Sequence, residues 1–243
     1  MPKWVFRRFP FLLLDWAVRY FPMLRVLKTR IPPEGLLLDL GSGSVGLAGF
    51  HHDKFVGCDV EFPNEPRRPM LPVRCSGVKL PFRDGAFPGV LASDVLEHVP
   101  PERRPAVVTE ALRVAGKVAI FSFPTGSLAY QADRKLCDFL GKRGIPLFDW
   151  LKEHMLHPYP DGSLFEGLSP NWSIESFQNE NLRFHEWVNR HELSKIVKGL
   201  FWVALTLAPK LVASLLRLAD RPPYYRLIVV ATKRPGLQQE MSS

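Results

Sequence analysis

An apolar strand that runs directly into a glycine-rich turn is the feature that most constrains the fold of this chain. Residues 36–40 form an apolar run interrupted only by Asp39, and the turn Gly41-Ser42-Gly43 follows at once. Buried parallel strands are apolar on both faces, and glycines in a turn let a ligand approach the backbone. In a doubly wound sheet, ligands lie beyond the carboxyl ends of such strands. The pattern therefore predicts a binding site at this turn.

A second strand with an acid at its end supports this prediction. Residues 55–60 predict a strand, and Asp59 lies 20 residues after Asp39. An acid at this place can accept hydrogen bonds from both hydroxyls of a ribose. The alternative, in which Asp59 only caps a loop, stays open at this point.

Predicted strands and helices alternate through the first half of the chain. The strands are expected at 36–40, 55–60, 73–75, 89–93 and 118–123, and the helices from 47 and at 102–114. This alternation is typical of an α/β domain with a mostly parallel sheet and helices on both faces. The second half predicts a helical insertion with loops at 125–181, a strand at 182–188, an apolar helix over 191–220 that kinks at Pro209, and a final strand at 225–232.

Five short motifs follow one another in the first half. They are Leu-Asp-Leu-Gly-Ser-Gly at 38–43, Gly-Cys-Asp at 57–59, Leu-Pro-Phe-Arg-Asp-Gly-Ala-Phe at 80–87, Asp-Val-Leu-Glu-His-Val at 94–99 and Glu-Ala-Leu-Arg-Val at 110–114. In order and spacing, residues 36–124 resemble the core of a class I S-adenosylmethionine-dependent methyltransferase of the type 11 family. The resemblance implies an enzyme with S-adenosyl-L-methionine as cofactor and a Rossmann-like seven-stranded sheet with helices on both faces. The late antiparallel strand pair of that fold is expected at 182–188 and 225–232.

The resemblance also implies cofactor-binding roles for individual residues. The expected set is Asp39 with Gly41, Ser42 and Gly43 at the methionine end, Asp59 at the ribose, Ser76 and Gly77 at the adenine, and Asp94 and Val95 near the sulfonium. The chain departs from the family pattern at three positions. Ser76 stands where an acid is common, Val45 where a third glycine is usual, and Pro88 where an acid follows phenylalanine.

Two other function classes compete with the enzyme. The departures favour a non-catalytic module that keeps the fold and acts through its hydrophobic segments. A nicotinamide dehydrogenase shares the strand-turn-helix pattern, and the spacing of Gly41, Gly43 and Gly46 matches its glycine fingerprint. The downstream motifs belong to the methyltransferase pattern, however, so the dehydrogenase ranks third.

A methyl transfer to a hydroxyl needs a general base, whereas an amine or a thiol needs mainly alignment. His98 is the first candidate for this base, because it follows the fourth predicted strand at the carboxyl edge of the sheet; local packing at a helix start is the alternative. His154 and His157 lie in the insertion 125–181, which is expected to form a lid over the acceptor, and they are interpreted as surface residues. Without a cysteine–histidine cluster, no metal is predicted.

Positive charge is concentrated at the N-terminus. Residues 1–30 carry seven Lys and Arg against one acid, which accounts for +6 of the formal net charge of +8. The same segment is rich in aromatic residues, which suits an anionic membrane surface. A helical flap over the domain, a targeting peptide and a nucleic-acid contact are the alternatives, and the weak charge of the remaining chain makes nucleic acid an unlikely partner.

The segment 196–219 is too apolar for a typical surface helix. Its longest uncharged apolar run, 199–209, has 11 residues, fewer than the roughly 18 that span a bilayer. It is expected either to pack against the N-terminal segment or to dip into a membrane interface with it. These two segments favour a lipid-linked acceptor over a soluble small molecule or a saccharide, and a cytoplasmic protein that lies peripherally at the inner membrane face.

The expected organisation is a basic segment at 1–30 and a methyltransferase domain at 31–243, whose cofactor half spans 36–124 and whose apolar helical segment spans 191–220. Three cysteines, Cys58, Cys75 and Cys137, cannot form a disulfide framework. They favour a reducing, intracellular setting. The oligomeric state and the acceptor atom are not encoded in any motif.

Overall fold

The computed structural model describes residues 14–32, 35–191 and 194–234, and a seven-stranded sheet forms its centre. The strands are β1 (Leu37–Leu40), β2 (Phe55–Asp59), β3 (Met70–Arg74), β4 (Phe87–Ser93), β5 (Ala115–Pro124), β6 (Trp172–Asn181) and β7 (Tyr224–Lys233). Their order across the sheet is β3-β2-β1-β4-β5-β7-β6. Strands β1 to β5 pair in parallel, and β7 runs antiparallel to both β5 and β6. The predicted fold class, including the late antiparallel pair, is confirmed.

The helices flank this sheet. They are α1 (Leu14–Arg30), α2 (Arg104–Val114), α3 (Gly126–Gly141), α4 (Asp149–His154), α5 (Leu182–His191), α6 (Lys195–Leu207) and α7 (Pro209–Ala219). Short 3₁₀ turns occur at Gly46–Gly49, Leu96–His98, Pro101–Arg103 and Gly162–Phe165. The helix expected after the glycine turn is therefore only one 3₁₀ turn.

The prediction of a strand at 182–188 was wrong, because this segment is helix α5. Apolar and polar residues alternate at 182–185 only, and the buried positions Leu182, His185 and Val188 follow helical spacing. The Asn181 side chain accepts a hydrogen bond from the backbone N–H of Phe184 at 3.0 Å, which starts the helix. The strand beside β7 lies earlier, at β6, so the insertion 125–181 is not wholly helical as expected.

Helix α1 belongs to the core of the domain. Its Tyr20, Met23 and Leu27 are buried with apolar residues on one face of the sheet, while α2 packs Val107 and Val108 on the other face. One of the alternatives considered for the N-terminal segment was a helix that covers the domain. Residues 14–30 form such a helix. The remainder of the segment expected to lie on a membrane, residues 1–13, falls outside the described residues.

Helices α6 and α7 form a bent pair that contacts α1. Pro209 begins α7, where its missing N–H costs no helical hydrogen bond, and the two helix axes differ in direction by 111°. The predicted kink at Pro209 is thus a full break. Among the described residues, no single helix has the length and apolarity of a membrane span, whereas this bent pair meets that test when taken together.

Candidate active site

A cavity of about 750 Å³ opens at the carboxyl ends of the parallel strands. It is in the upper part of the size range of small-molecule sites. Nine of the ten site residues predicted from the sequence line it, namely Gly41, Ser42, Gly43, Asp59, Ser76, Gly77, Asp94, Val95 and His98. The tenth, Asp39, lies beneath the turn and is fully buried. The topology brings these residues together from four separate segments of the chain.

The glycine turn follows β1 with backbone angles that favour glycine. Gly41 and Gly43 have φ values of +70° and +51°. A Cβ at Gly41 would lie 2.3 Å from a methyl of Val95, whereas a Cβ at Gly43 would meet no heavy atom within 4 Å. Gly41 is therefore required by packing against the β4 loop. Gly43 leaves the backbone open toward the cavity, where a ligand can approach it.

Asp59 ties the end of β2 to this turn. Its Oδ2 accepts a hydrogen bond from the backbone N–H of Gly43 at 2.7 Å, and its Oδ1 accepts one from Val60 at 2.7 Å. Each carboxylate oxygen has a second lone pair. Asp59 lines the cavity and is positioned by the backbone, so a diol in the cavity can donate to it.

Asp39 supports the turn from below. Its Oδ2 accepts a hydrogen bond from the backbone N–H of Leu47 at 2.8 Å, and the Tyr20 hydroxyl lies 3.3 Å from the same oxygen. Burial raises the pKa of Asp39 to about 7, although the Leu47 and Tyr20 hydrogen bonds oppose this rise. Asp39 therefore shapes the turn. Tyr20, from the segment interpreted as a membrane or flap element, was not predicted at the site.

A disulfide joins the segments that follow β2 and β3. Cys58 and Cys75 are bonded, while Cys137 is free. Both bridged cysteines line the cavity next to Asp59 and Ser76. The cysteine count gave no indication of this bridge, because the two residues become neighbours only when β2 and β3 pair. The bridge is at odds with the expected reducing setting, since disulfides persist mainly in oxidising compartments.

Asp94 lies at the end of β4, where the sulfonium contact was expected, and its carboxylate bridges two arginines. Arg19 Nη1 donates to Oδ2 at 2.8 Å, and Arg226 Nη1 contacts Oδ1. Burial alone would raise the pKa of Asp94, but Arg226 and Arg19 outweigh it and lower the pKa. Asp94 is thus an anion held between two cations at the cavity wall.

The ion pairs continue away from Asp94 as a buried polar wall. Arg226 Nε donates to Glu180 Oε2 at 2.8 Å, and His185 Nδ1 lies 2.7 Å from Glu180 Oε1. His185 Nε2 lies 3.5 Å from Asp133 Oδ1. Burial opposes the charge on His185, but Glu180 and Asp133 raise its pKa to about 10. At neutral pH the wall therefore alternates three cations with three anions, including Arg19 and Asp94.

Backbone strain marks the same wall. Among the described residues, the non-glycine residues with positive φ are Asp94 at 53° and Glu180 at 67°. Such conformations cost free energy and concentrate at functional sites. None of Arg19, Asp133, Glu180, His185 and Arg226 was predicted at the site. Of these residues, only Arg226 could have been found from the sequence, because it is a charged residue inside the apolar predicted strand 225–232.

His98 and His154 meet at the cavity wall beside Glu97. The His98 and His154 ring centroids are 4.9 Å apart, and His154 Nε2 lies 3.6 Å from Glu97 Oε1. Burial lowers the pKa of His98, and burial raises the pKa of Glu97 well above its usual range, helped by Asp94. The interpretation of His154 as a surface residue was wrong, since only 4% of it is exposed. His157 does not line the cavity.

The cavity residues fit the cofactor that the sequence pattern implies. The open space at Gly43 and the carboxylate of Asp59 would receive the methionine and ribose parts, and Ser76 and Gly77, which also line the cavity, would face the adenine. Arg19, Trp16 and Tyr20 of α1 close the cavity from the N-terminal side.

Comparison with known proteins finds a family model and structures with a similar fold. Residues 38–123 match the type 11 family model, which is described as a methyltransferase domain. A candidate sarcosine dimethylglycine methyltransferase from Galdieria sulphuraria is 12% identical, with 90% of this chain and 84% of that chain covered and a TM-score of 0.51. A SAM-dependent methyltransferase from Anabaena variabilis is 14% identical, with 90% and 87% covered and a TM-score of 0.50. These two likenesses show the shared fold. No curated protein matches the chain by sequence.

Proposed function

We propose that the acceptor of this class I S-adenosylmethionine-dependent methyltransferase, whose type 11 domain spans residues 38–123, is a polar headgroup carried by a lipid. The observation that carries the proposal is the position of the cavity. A charged, buried wall lines its interior, and an exposed apolar helix pair begins at its rim. A lipid-linked acceptor needs both surfaces.

Different residues of the chain are proposed to bind the cofactor and the acceptor, at two ends of the cavity. Bound S-adenosylmethionine supplies an electrophilic methyl group at a sulfonium. Gly43 and Asp59 hold the cofactor end, and α1 covers it through Trp16 and Arg19. Alignment of the reactants and exclusion of water are the main contributions that a methyltransferase makes. The assignment of His98 as general base stays a prediction.

The polar wall supports an acceptor with a polar or charged headgroup. Asp94, Arg226 and His185 all line the cavity. Because their charges are mutually compensated and their side chains are fixed by ion pairs, they present oriented donors and acceptors at little reorganisation cost. A hydrocarbon chain would desolvate these groups without replacing their hydrogen bonds. The headgroup, and not the lipid tail, is therefore the part that enters.

The apolar face of α6 and α7 supports a membrane surface as the source of this acceptor. The large exposed side chains recur at helical spacing on both helices: Ile196, Leu200, Val203 and Leu207 on α6, and Leu211, Leu215 and Leu218 on α7. Leu200 is 66% exposed, Leu207 is 79% exposed and Leu215 is 55% exposed. Exposed apolar patches of this kind mark interaction sites.

Basic residues accompany this apolar face on the same two helices. Residues 195–219 contain four basic residues and no acid. Lys210 and Arg217 are exposed on α7, and Lys198 of α6 lines the cavity. Helices that lie in an anionic interface combine an apolar face with basic residues in this way. Lys198 thereby connects the proposed membrane face with the acceptor cavity.

Vesicle flotation tests the membrane contact. We expect the protein to float with vesicles that contain an anionic phospholipid, and Leu200→Glu combined with Leu215→Glu to abolish flotation. Leu156→Glu is the matched control, because Leu156 is 70% exposed but lies outside the pair. Equal flotation of all three proteins would remove the membrane from the proposal.

Transfer of labelled methyl groups tests the acceptor. The wild type is incubated with methyl-labelled S-adenosylmethionine and membrane lipid extract, and label is expected in the organic phase. Asp59→Ala is expected to lose this label. Label that appears only in water-soluble products of a cytosolic extract would favour a soluble small-molecule acceptor. The cytoplasmic location at the inner membrane face stays a prediction.

A further inference from the structure

Three side chains from two segments converge where the cavity meets the lid. Glu97 and His98 follow β4, and His154 ends α4. One ligand atom of each residue lies within 4.8 Å of the others. Glu97 and His154 are buried, and both histidines line the cavity. We propose that Glu97, His98 and His154 bind a divalent transition-metal ion beside the acceptor.

Each histidine is oriented by a carboxylate. Asp133 Oδ2 lies 2.8 Å from His154 Nδ1, and Glu153 Oε2 lies 2.7 Å from His98 Nδ1. A carboxylate that accepts the Nδ1 proton fixes the tautomer and leaves Nε2 with its lone pair. Metal-ligating histidines almost always have such a partner, which also makes the ligand nitrogen more basic. In His154 this nitrogen, Nε2, lies 3.6 Å from Glu97 Oε1.

Glu97 would supply the third ligand. Its buried carboxylate also explains why a cation is expected at this place. The residue is fully buried, and among the described residues neither carboxylate oxygen has a hydrogen-bond partner. Buried carboxylates are normally hydrogen-bonded, paired or bound to a metal. Arg104, a buried cation seven residues after Glu97, donates instead to the carbonyl oxygens of Val99 and Pro158. A cation between Glu97 and the two imidazoles would compensate this carboxylate.

The donor set decides the class of ion. Two imidazole nitrogens and one carboxylate are the ligands of many catalytic zinc sites and of other first-row metals, whereas Mg²⁺ prefers oxygen. Metal–ligand distances of about 2.1 Å in a tetrahedral site place the ligand atoms about 3.4 Å apart. The three ligand atoms lie within 4.8 Å of one another here, so the widest pair would close by at most about 1.4 Å on binding. With three protein ligands, further coordination positions remain for an acceptor oxygen in the cavity. His98 would then act as a ligand and not as a base.

Metal titration without cofactor or acceptor tests this site directly. Tag-free protein dialysed against a chelator is titrated with Zn²⁺ alone, and separately with Co²⁺ alone, whose visible absorption reports ligation. We expect one ion per chain. Glu97→Gln and His98→Gln should each weaken binding at least tenfold. Glu153→Gln should weaken it by about 10–100-fold, as loss of an orienting carboxylate does.

Matched controls separate ligation from misfolding. His52→Gln and Glu102→Gln replace exposed residues of the same types outside the cluster and should leave affinity unchanged. Glu153 is 54% exposed in its side chain, so Glu153→Gln should fold even where a buried variant does not. No stoichiometric binding by folded wild type, or equal affinity in the Glu153, His98 and control variants, would overturn the proposal. Neither result depends on methyl transfer.

Discussion

Replacing Asp39 with Asn should change how the stability of the protein depends on pH. Asp39 is fully buried under the glycine turn, and burial raises its pKa from the ordinary 3.8 to about 7. The folded state therefore favours the neutral carboxyl. Its contribution to stability is fully present below pH 3.8 and is lost as the pH rises to 7. Asn cannot ionise, but its amide oxygen can still accept the hydrogen bond from Leu47.

The size of this effect on the free energy of unfolding follows from the rise in the pKa of Asp39. Each tenfold change in proton affinity is worth about 1.4 kcal/mol, so full ionisation costs the wild type about 4 kcal/mol. Between pH 5 and 8 the part that titrates amounts to roughly 2.5 kcal/mol. The free energy of unfolding of Asp39→Asn minus that of the wild type should rise by this amount over the same interval.

Urea unfolding of both proteins at pH 5, 6, 7 and 8 measures this difference, in which the other titrating groups cancel. Asp138→Asn, at an exposed position, serves as the matched control, because it makes the same chemical change away from the glycine turn. A flat difference for Asp39→Asn, or one that falls with rising pH, would refute the assignment of a destabilised buried charge beneath the turn.

Three further changes test other parts of the structure. Asp59→Ala should weaken S-adenosylmethionine binding in calorimetry at least about 100-fold, since hydrogen bonds to a charged group are worth about 1.5–3 kcal/mol each; unchanged affinity would remove Asp59 from the ribose site. Arg226→Met should lower the free energy of unfolding by about 3–5 kcal/mol, because it removes one of the two cations that compensate each of the buried carboxylates Asp94 and Glu180, and a loss below about 1 kcal/mol would contradict the ion-pair wall. Cys58→Ser should cost about 3 kcal/mol through loss of the disulfide; a reductant should lower wild-type stability equally and leave the variant unchanged.

The first half of the fold could be predicted from sequence because its information is local. An apolar run before Gly41 and Gly43 predicts β1 and its turn, and Asp59 marks the end of β2. Parallel strands in a doubly wound sheet bring their carboxyl ends to one edge. Residues such as Ser76, Asp94 and His98, each just after a strand, therefore meet in one cavity without any knowledge of side-chain packing.

In the second half of the chain, the local sequence pattern predicted the wrong secondary structure for one segment. Residues 182–188 were predicted as a strand, and polarity alternates at 182–185. They nevertheless belong to α5, because Asn181 caps the helix and helical spacing buries Leu182, His185 and Val188. Tertiary packing overrides so short a local pattern. The disturbance at Pro209, by contrast, is a property of the proline itself. A kink was predicted there, and the structure has a full break between two helices.

The sequence by itself determined the parallel strands, the glycine turn and the resemblance of the cofactor half, residues 36–124, to a methyltransferase core, because strand patterns, glycine conformations and strand-end acids act within a few residues. Only the tertiary structure decided what surrounds that half. Arg19 from α1 and Arg226 from β7 reach Asp94 across 75 and 132 residues, and His154 of α4 lies 3.6 Å from Glu97. The energy of buried charges depends on which opposite charge folding places beside them, and a single sequence does not contain that pairing.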